Sequence, residues 1–385
     1  MKVGILTFHF AKNYGAVLQA HALASTIRAW GIDCEIVDYR YPWMFRSEGR
    51  INIREHYALH RLRDCKIVSV LKALRRWTLG WFRTRSEQDR LYEEFVQAHL
   101  PLSRRVRDWE LADLRHDALV CGSDQIWNAR ITGRLAAPYF LAFPTAKPCR
   151  RIAYAASAGS GRFRPADEPV AARWIAGLDA IGVRERTLAE TVRRLVPASR
   201  PNIVLDPAFL PAPDHWIGMA RRPVADFPER FLLLYIVEES ANSGWIYRAA
   251  RTLAAERGLR IVKIIRRCDD DSAMPADLDV IPVENCGPLE FLWLFSHASF
   301  VLAGSFHATV FSIVFCREFL CLPHPTDRER TDSLLADFGL GDRTLEPGVA
   351  ASGIPPVDWH AVRPVLEKKR NDSLSFLKTA LGING

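Results

Sequence analysis

Short apolar runs alternating with helical patterns constrain this chain more than any other feature. Residues 3–8 read as a strand and Asn13-Tyr14-Gly15 as a turn. Residues 16–30 read as a helix, with Val17, Ala20, Leu23, Ala24 and Ile27 at helical spacing. Gly31 ends that helix, and residues 34–39 are the next strand. A strand, a helix and a second strand at this spacing form a βαβ unit, whose crossover commits both strands to a parallel sheet. Strand-like segments return at 118–121, 151–156, 180–183 and 203–205.

Three prolines between Pro207 and Pro213 then break the pattern, and a second α/β alternation begins. Strands are expected at 231–237, 259–265, 299–303 and 319–322. Helices are expected at 244–256, at 289–296, from Phe306 onward, at 332–338 and at 359–381. This order predicts an α/β protein with two Rossmann-like domains facing a cleft, residues 1–210 and 211–385. The final helix is a candidate to cross back to the first domain. Residues 46–107 stand apart as a basic helical insertion.

The formal net charge of +8 falls largely in that insertion. Residues 67–83 are basic and rich in aromatics. They read first as an ordinary helix packed on its own domain, with peripheral contact at an anionic membrane surface as the alternative. No recognised nucleic-acid motif accompanies the charge, so a nucleic-acid partner is not expected. Charges interrupt every apolar run, and the first residues lack the pattern of a signal peptide, so a cytoplasmic protein is expected. The eight cysteines are scattered without a CxxC pair and read as reduced thiols. No metal site is expected. Asp269-Asp270-Asp271 reads as a solvated loop. HExxH, P-loop and GxSxG motifs are absent, which removes local support for zinc proteolysis, ATP hydrolysis and serine esterase chemistry.

Candidate site residues cluster where strands give way to helices. Ser305 can cap a helix whose first turn holds His307, a position favourable to an anion. Asn13, Tyr14 and Gln19 flank the first strand–helix turn, where Gly15 permits close backbone approach. Ser123 and Asp124 follow the strand at 118–121. Asp124 offers a carboxylate to activate a sugar hydroxyl, and Trp127 a face for a sugar ring. Arg184 follows another strand and can grip a carboxylate or phosphate, unless it serves an internal ion pair. Arg328 and Arg330 precede a short helix and can point into the cleft, with surface solvation as the default. Asp206, before Pro207, reads as shaping the interdomain turn.

Taken in order, the runs Asn13 to Ala20, Gly122 to Asn128, Val183-Arg184-Glu185, Leu205-Asp206-Pro207 and Ser305 to Ser312 resemble the polysaccharide pyruvyl transferase family. The resemblance implies a GT-B-like fold. It also implies transfer of a pyruvyl group from phosphoenolpyruvate to two hydroxyls of a sugar in a bacterial surface polysaccharide, forming a cyclic ketal. It implies a glycan or lipid-linked saccharide as acceptor and no cofactor beyond the donor substrate. Where many members carry an arginine beside the motif histidine, this chain has Ser305 and Phe306. Arg330 or Arg328 is therefore expected to supply that cation. On this reading His307 and Asp124 are catalytic, and Arg184, Ser305, Arg328 and Arg330 bind the donor. Asn13, Tyr14, Gln19, Ser123 and Trp127 bind the acceptor. The alternatives are a GT-B-type glycosyltransferase using a nucleotide sugar and a non-catalytic glycan-assembly protein.

Overall fold

The computed structural model describes residues 1–41, 86–224, 227–237, 243–266, 274–323 and 328–383. The first sheet takes its order from the opening βαβ unit. β1 (Lys2–Leu6) leads through α1 (Tyr14–Ala29) to β2 (Asp33–Tyr39), its parallel neighbour. After α2 (Glu87–His99) come β3 (Leu102–Val106), β4 (Ala118–Cys121) and β5 (Arg150–Ala156). The helix α3 (Glu168–Ile175), β6 (Ala180–Val183), α4 (Arg186–Leu195) and β7 (Asn202–Ile203) complete it. The strand order is β3-β2-β1-β4-β5-β6-β7, parallel throughout.

The second sheet repeats the plan. After α5 (Pro213–Met219) it comprises β8 (Phe231–Ile236), α6 (Gly244–Arg257), β9 (Arg260–Ile264), β10 (Val280–Val283), α7 (Pro288–His297) and β11 (Phe300–Gly304). Then follow α8 (Phe306–Val314), β12 (Glu318–Cys321), α9 (Glu329–Asp337) and α10 (Trp359–Leu381). Its order is β10-β9-β8-β11-β12, again parallel. Every residue of β4 and β8 is buried, as expected for strands covered on both faces.

Each sheet reverses direction at one switch point, between β1 and β4 in the first and between β8 and β11 in the second. Ligands of open α/β sheets bind beyond the strand ends at such points. The two domains are joined by apolar packing: Tyr14 stacks on Phe291 at 4.5 Å, and Phe209 packs against Phe338 with ring centroids 5.7 Å apart. Helix α10 returns to the first sheet, where Arg150 Nη1 donates to the Ala380 carbonyl at 3.1 Å and Leu205 N donates to Ser373 Oγ at 2.9 Å.

Two strands went unread in the sequence, and both are edge strands. β3 falls within the segment expected to be a helical insertion. Its Arg104 and Arg105 are exposed, the usual protection of an edge. β10 contains Pro282, which an edge tolerates. The basic segment from 46 to 85, with its aromatic run at 67–83, lies outside the described residues, as do Asp269, Asp270 and Asp271. Among the described residues no helix is long and apolar enough to cross a membrane.

Candidate functional site

Three chain reversals meet at the paired switch points. After β1, Asn13 caps α1, its Oδ1 accepting from Ala16 N at 3.2 Å. After β4 comes Gly122-Ser123-Asp124. After β11, Ser305 caps α8, its Oγ accepting from Ala308 N at 3.1 Å. The N-termini of α1 and α8 both border a cleft of about 240 Å³, which Asn13, Gly15, Asp124, His307 and Arg330 help to line. The positive ends of two helix dipoles make this cleft receptive to an anion.

His307 sits directly over the first turn of α1. A Cβ at Gly15 would lie 1.9 Å from His307 Nδ1, so only glycine admits the ring. On its other side, Nε2 lies 3.6 Å from Asp206 Oδ2, longer than a hydrogen bond, and Nε2 has no hydrogen-bond partner among the described residues.

Asp206 is the buried hub. Its Oδ2 accepts from Arg184 Nη1 at 2.6 Å and from Ser123 Oγ at 3.0 Å, while Oδ1 accepts from Ala208 N at 3.0 Å. Burial alone would push this carboxyl up. His307 and Arg184 outweigh it and hold Asp206 well below the usual carboxylate range. Burial likewise opposes the charge of Arg184, but Asp206, Glu185 and Asp124 raise its pKa. Phe306 lies between two cations, 4.6 Å from the Arg184 guanidinium and 5.4 Å from that of Arg330.

Asp124 occupies a left-handed backbone conformation, φ 73°. Aspartate tolerates this region better than most residues, and such outliers concentrate at functional sites. Its Oδ1 accepts from Gln125 N at 2.8 Å and lies 3.9 Å from Arg184 Nη2.

The structure thus brings His307, Asp124, Arg330, Asn13 and Ser305 to one cleft. Other expected ligand residues are committed elsewhere. Gln19 is fully buried: Nε2 donates to Thr7 Oγ1 at 2.8 Å, and Oε1 accepts from Ser123 N at 3.1 Å. Ser123 is also fully buried, its hydroxyl directed to Asp206 and the Ala155 carbonyl. Trp127 is a core residue, stacked on Phe140 at 4.8 Å with Nε1 donating to the Tyr139 carbonyl at 2.9 Å; its face is covered. Tyr14 borders the cleft, but its hydroxyl donates to the Cys286 carbonyl at 2.9 Å, so it bridges the domains. Arg328 turns outward to Asp332 and Glu346, at 2.7 and 2.5 Å. Arg184 takes the internal ion pair, with Asp206 as its closest acid.

The residue that sequence reasoning undervalued is Asp206. Its only signal was membership of Leu205-Asp206-Pro207, one of the runs carrying the family resemblance.

Two Rossmann-like domains with parallel sheets and a site at their facing switch points define a GT-B-like α/β protein. The chain belongs to the polysaccharide pyruvyl transferase family, whose family model matches residues 13–325. No curated protein matches the chain. Among solved structures, the chain is similar to UDP-GlcNAc 2-epimerase of Methanocaldococcus jannaschii, in complex with UDP-GlcNAc and UDP. Identity is 12%, the TM-score is 0.50, and all of both chains is covered. It is also similar to the E. coli heptosyltransferase WaaC with ADP, at 16% identity and a TM-score of 0.42, over 96% of this chain and 100% of that one. At such identity the likeness to the epimerase concerns the fold alone.

Proposed function

We propose that this protein transfers a pyruvyl group from phosphoenolpyruvate to two hydroxyls of one sugar of a bacterial surface polysaccharide, forming a cyclic ketal. The observation that carries this reading is His307, fixed between Gly15 and the Asp206 carboxylate at two facing helix N-termini. It combines a proton carrier with an anion-receptive cleft, which a donor bearing phosphate and carboxylate requires.

In this reading His307 delivers a proton to the methylene carbon of phosphoenolpyruvate, and the adjacent carbon becomes oxocarbenium-like. A sugar hydroxyl attacks that carbon and gives its proton to Asp124. The carbon–oxygen bond to phosphate breaks, and the second hydroxyl closes the ring. Of the two hydroxyl protons released, one reprotonates His307 and the other leaves with phosphate. Asp206 acts through His307 as a positioning residue, its carboxylate fixed 3.6 Å from Nε2. Arg330 and the helix N-termini offset the donor's charge, and Asn13 faces the acceptor. The acceptor is a glycan or lipid-linked saccharide met in the cytoplasm, with peripheral contact at the inner membrane face. No cofactor is required.

Incubation with phosphoenolpyruvate labelled in its pyruvyl carbons and a pool of surface saccharides tests the reaction. Label should enter an acid-labile ketal as phosphate is released. Transfer of a sugar from a nucleotide sugar, with no ketal formed, would replace this reading with glycosyl transfer.

A further inference from the structure

A second groove, of about 340 Å³, adjoins the cleft. Gln125 and Ile131 line both, so a ligand can extend from one into the other. One wall is apolar, from Leu135 and Phe163. Arg130 and Arg162 also line it, both exposed and neither in an ion pair among the described residues. Asp167, the acid of this lining, is engaged by Arg164 at 2.5 Å. The groove therefore carries two uncompensated cations beside an apolar wall. Its border with the cleft is an amide pair, Asn128 Nδ2 donating to Gln125 Oε1 at 2.5 Å. Gly159, at φ 78°, makes room for that pair: a Cβ there would lie 2.6 Å from Asn128 Nδ2 and 2.7 Å from Gln125 Oε1.

We propose that this groove is the acceptor subsite for an anionic group, carboxylate or phosphate, carried by the saccharide beyond the sugar being modified. The inference rests on the pyruvyl-transfer reading for the identity of the neighbouring cleft. An apolar wall suits the C–H face of a pyranose, and guanidinium groups suit carboxylate or phosphate oxygens. The run from Gly122 to Asn128 then serves both ligands: Asp124 faces the reacting sugar, and Gln125 and Asn128 mark where its neighbour begins.

The test is calorimetric titration of the full chain with three probes: a hyaluronan tetrasaccharide for carboxylate, glucose 1-phosphate for phosphate, and maltotetraose as the neutral control. Wild type is compared with the double variant Arg130→Gln/Arg162→Gln and with His307→Ala, and phosphoenolpyruvate is titrated into each. At least one anionic saccharide should bind wild type and His307→Ala alike, and weaken about tenfold or more in the double variant. Maltotetraose should bind more weakly than the anionic probe that binds. Phosphoenolpyruvate affinity should be unchanged in the double variant. The anionic probe that binds identifies the source of the charge. Binding of neither anionic probe to wild type, or equal binding to the double variant, overturns the subsite. Loss of phosphoenolpyruvate binding by wild type would instead overturn the donor reading, a separate result.

Discussion

The Nε2 of His307 and the Oδ2 of Asp206 lie 3.6 Å apart, with the ring on one domain and the carboxylate anchored in the other by Ser123 and Arg184. The histidine is thus not held by its own helix alone. Its position depends on the two domains staying in register, which links the packing around α1 to the chemistry of the cleft.

Gly15 is the other half of that relationship. Replacing it with alanine should favour α1 by up to about 1 kcal/mol of helix propensity. The added methyl must nevertheless displace the ring that lies 1.9 Å from its position. Gly15→Ala should therefore keep its circular dichroism spectrum and lose at least about tenfold in phosphoenolpyruvate affinity. Unchanged affinity would show that the ring position is immaterial.

Asp206 sets a pH dependence. Its carboxyl is held below the usual range, so in acid the unfolded chain binds more protons than the folded one. Its contribution to stability is complete above about pH 4, the unfolded carboxylate value, and is lost as pH falls below it. Asp206→Asn also leaves the Arg184 charge buried without its closest partner, which should cost about 3–5 kcal/mol near neutrality. Urea unfolding of both proteins from about pH 3 to pH 7 should show the gap narrowing toward acid. A gap independent of pH would contradict the assignment.

Arg330 and Arg328 separate cleanly. Arg330 borders the cleft against Phe306, while Arg328 is spent on surface carboxylates. Arg330→Gln should weaken phosphoenolpyruvate binding about tenfold or more, and Arg328→Gln should leave it within about twofold. Equal effects in the two titrations would remove the distinction.

Trp127 is predicted to be structural. Trp127→Ala should lower stability by about 3–5 kcal/mol, as for other large core truncations, read as a fall in the denaturation midpoint. A sugar-stacking residue would leave that midpoint nearly unmoved.

What could be read in the sequence was what is decided locally. Strand β11, the Ser305 cap and the helix after it follow from a buried run, a glycine and a short hydroxyl side chain. Helix α10 was expected over the residues where it stands. Errors arose where long-range packing decides. Gln19 lies on α1, a helix with 13 of its 16 residues buried because sheet and second domain cover it on several sides. Polarity there signalled an internal hydrogen bond, not an exposed ligand. Asp206 gains its meaning from Ser123, 83 residues away, and from Arg184, 22 residues away, which no local pattern connects. Both edge strands carry residues that weaken the strand signal, and an edge position is where a sheet accepts them.

The most direct measurement is a calorimetric titration of phosphoenolpyruvate into wild type and His307→Ala, with UDP and GDP as comparison ligands. Selective phosphoenolpyruvate binding by wild type, weakened at least about tenfold in the variant, is the predicted result. Nucleotide binding without phosphoenolpyruvate binding, or phosphoenolpyruvate binding indifferent to His307, would contradict the account.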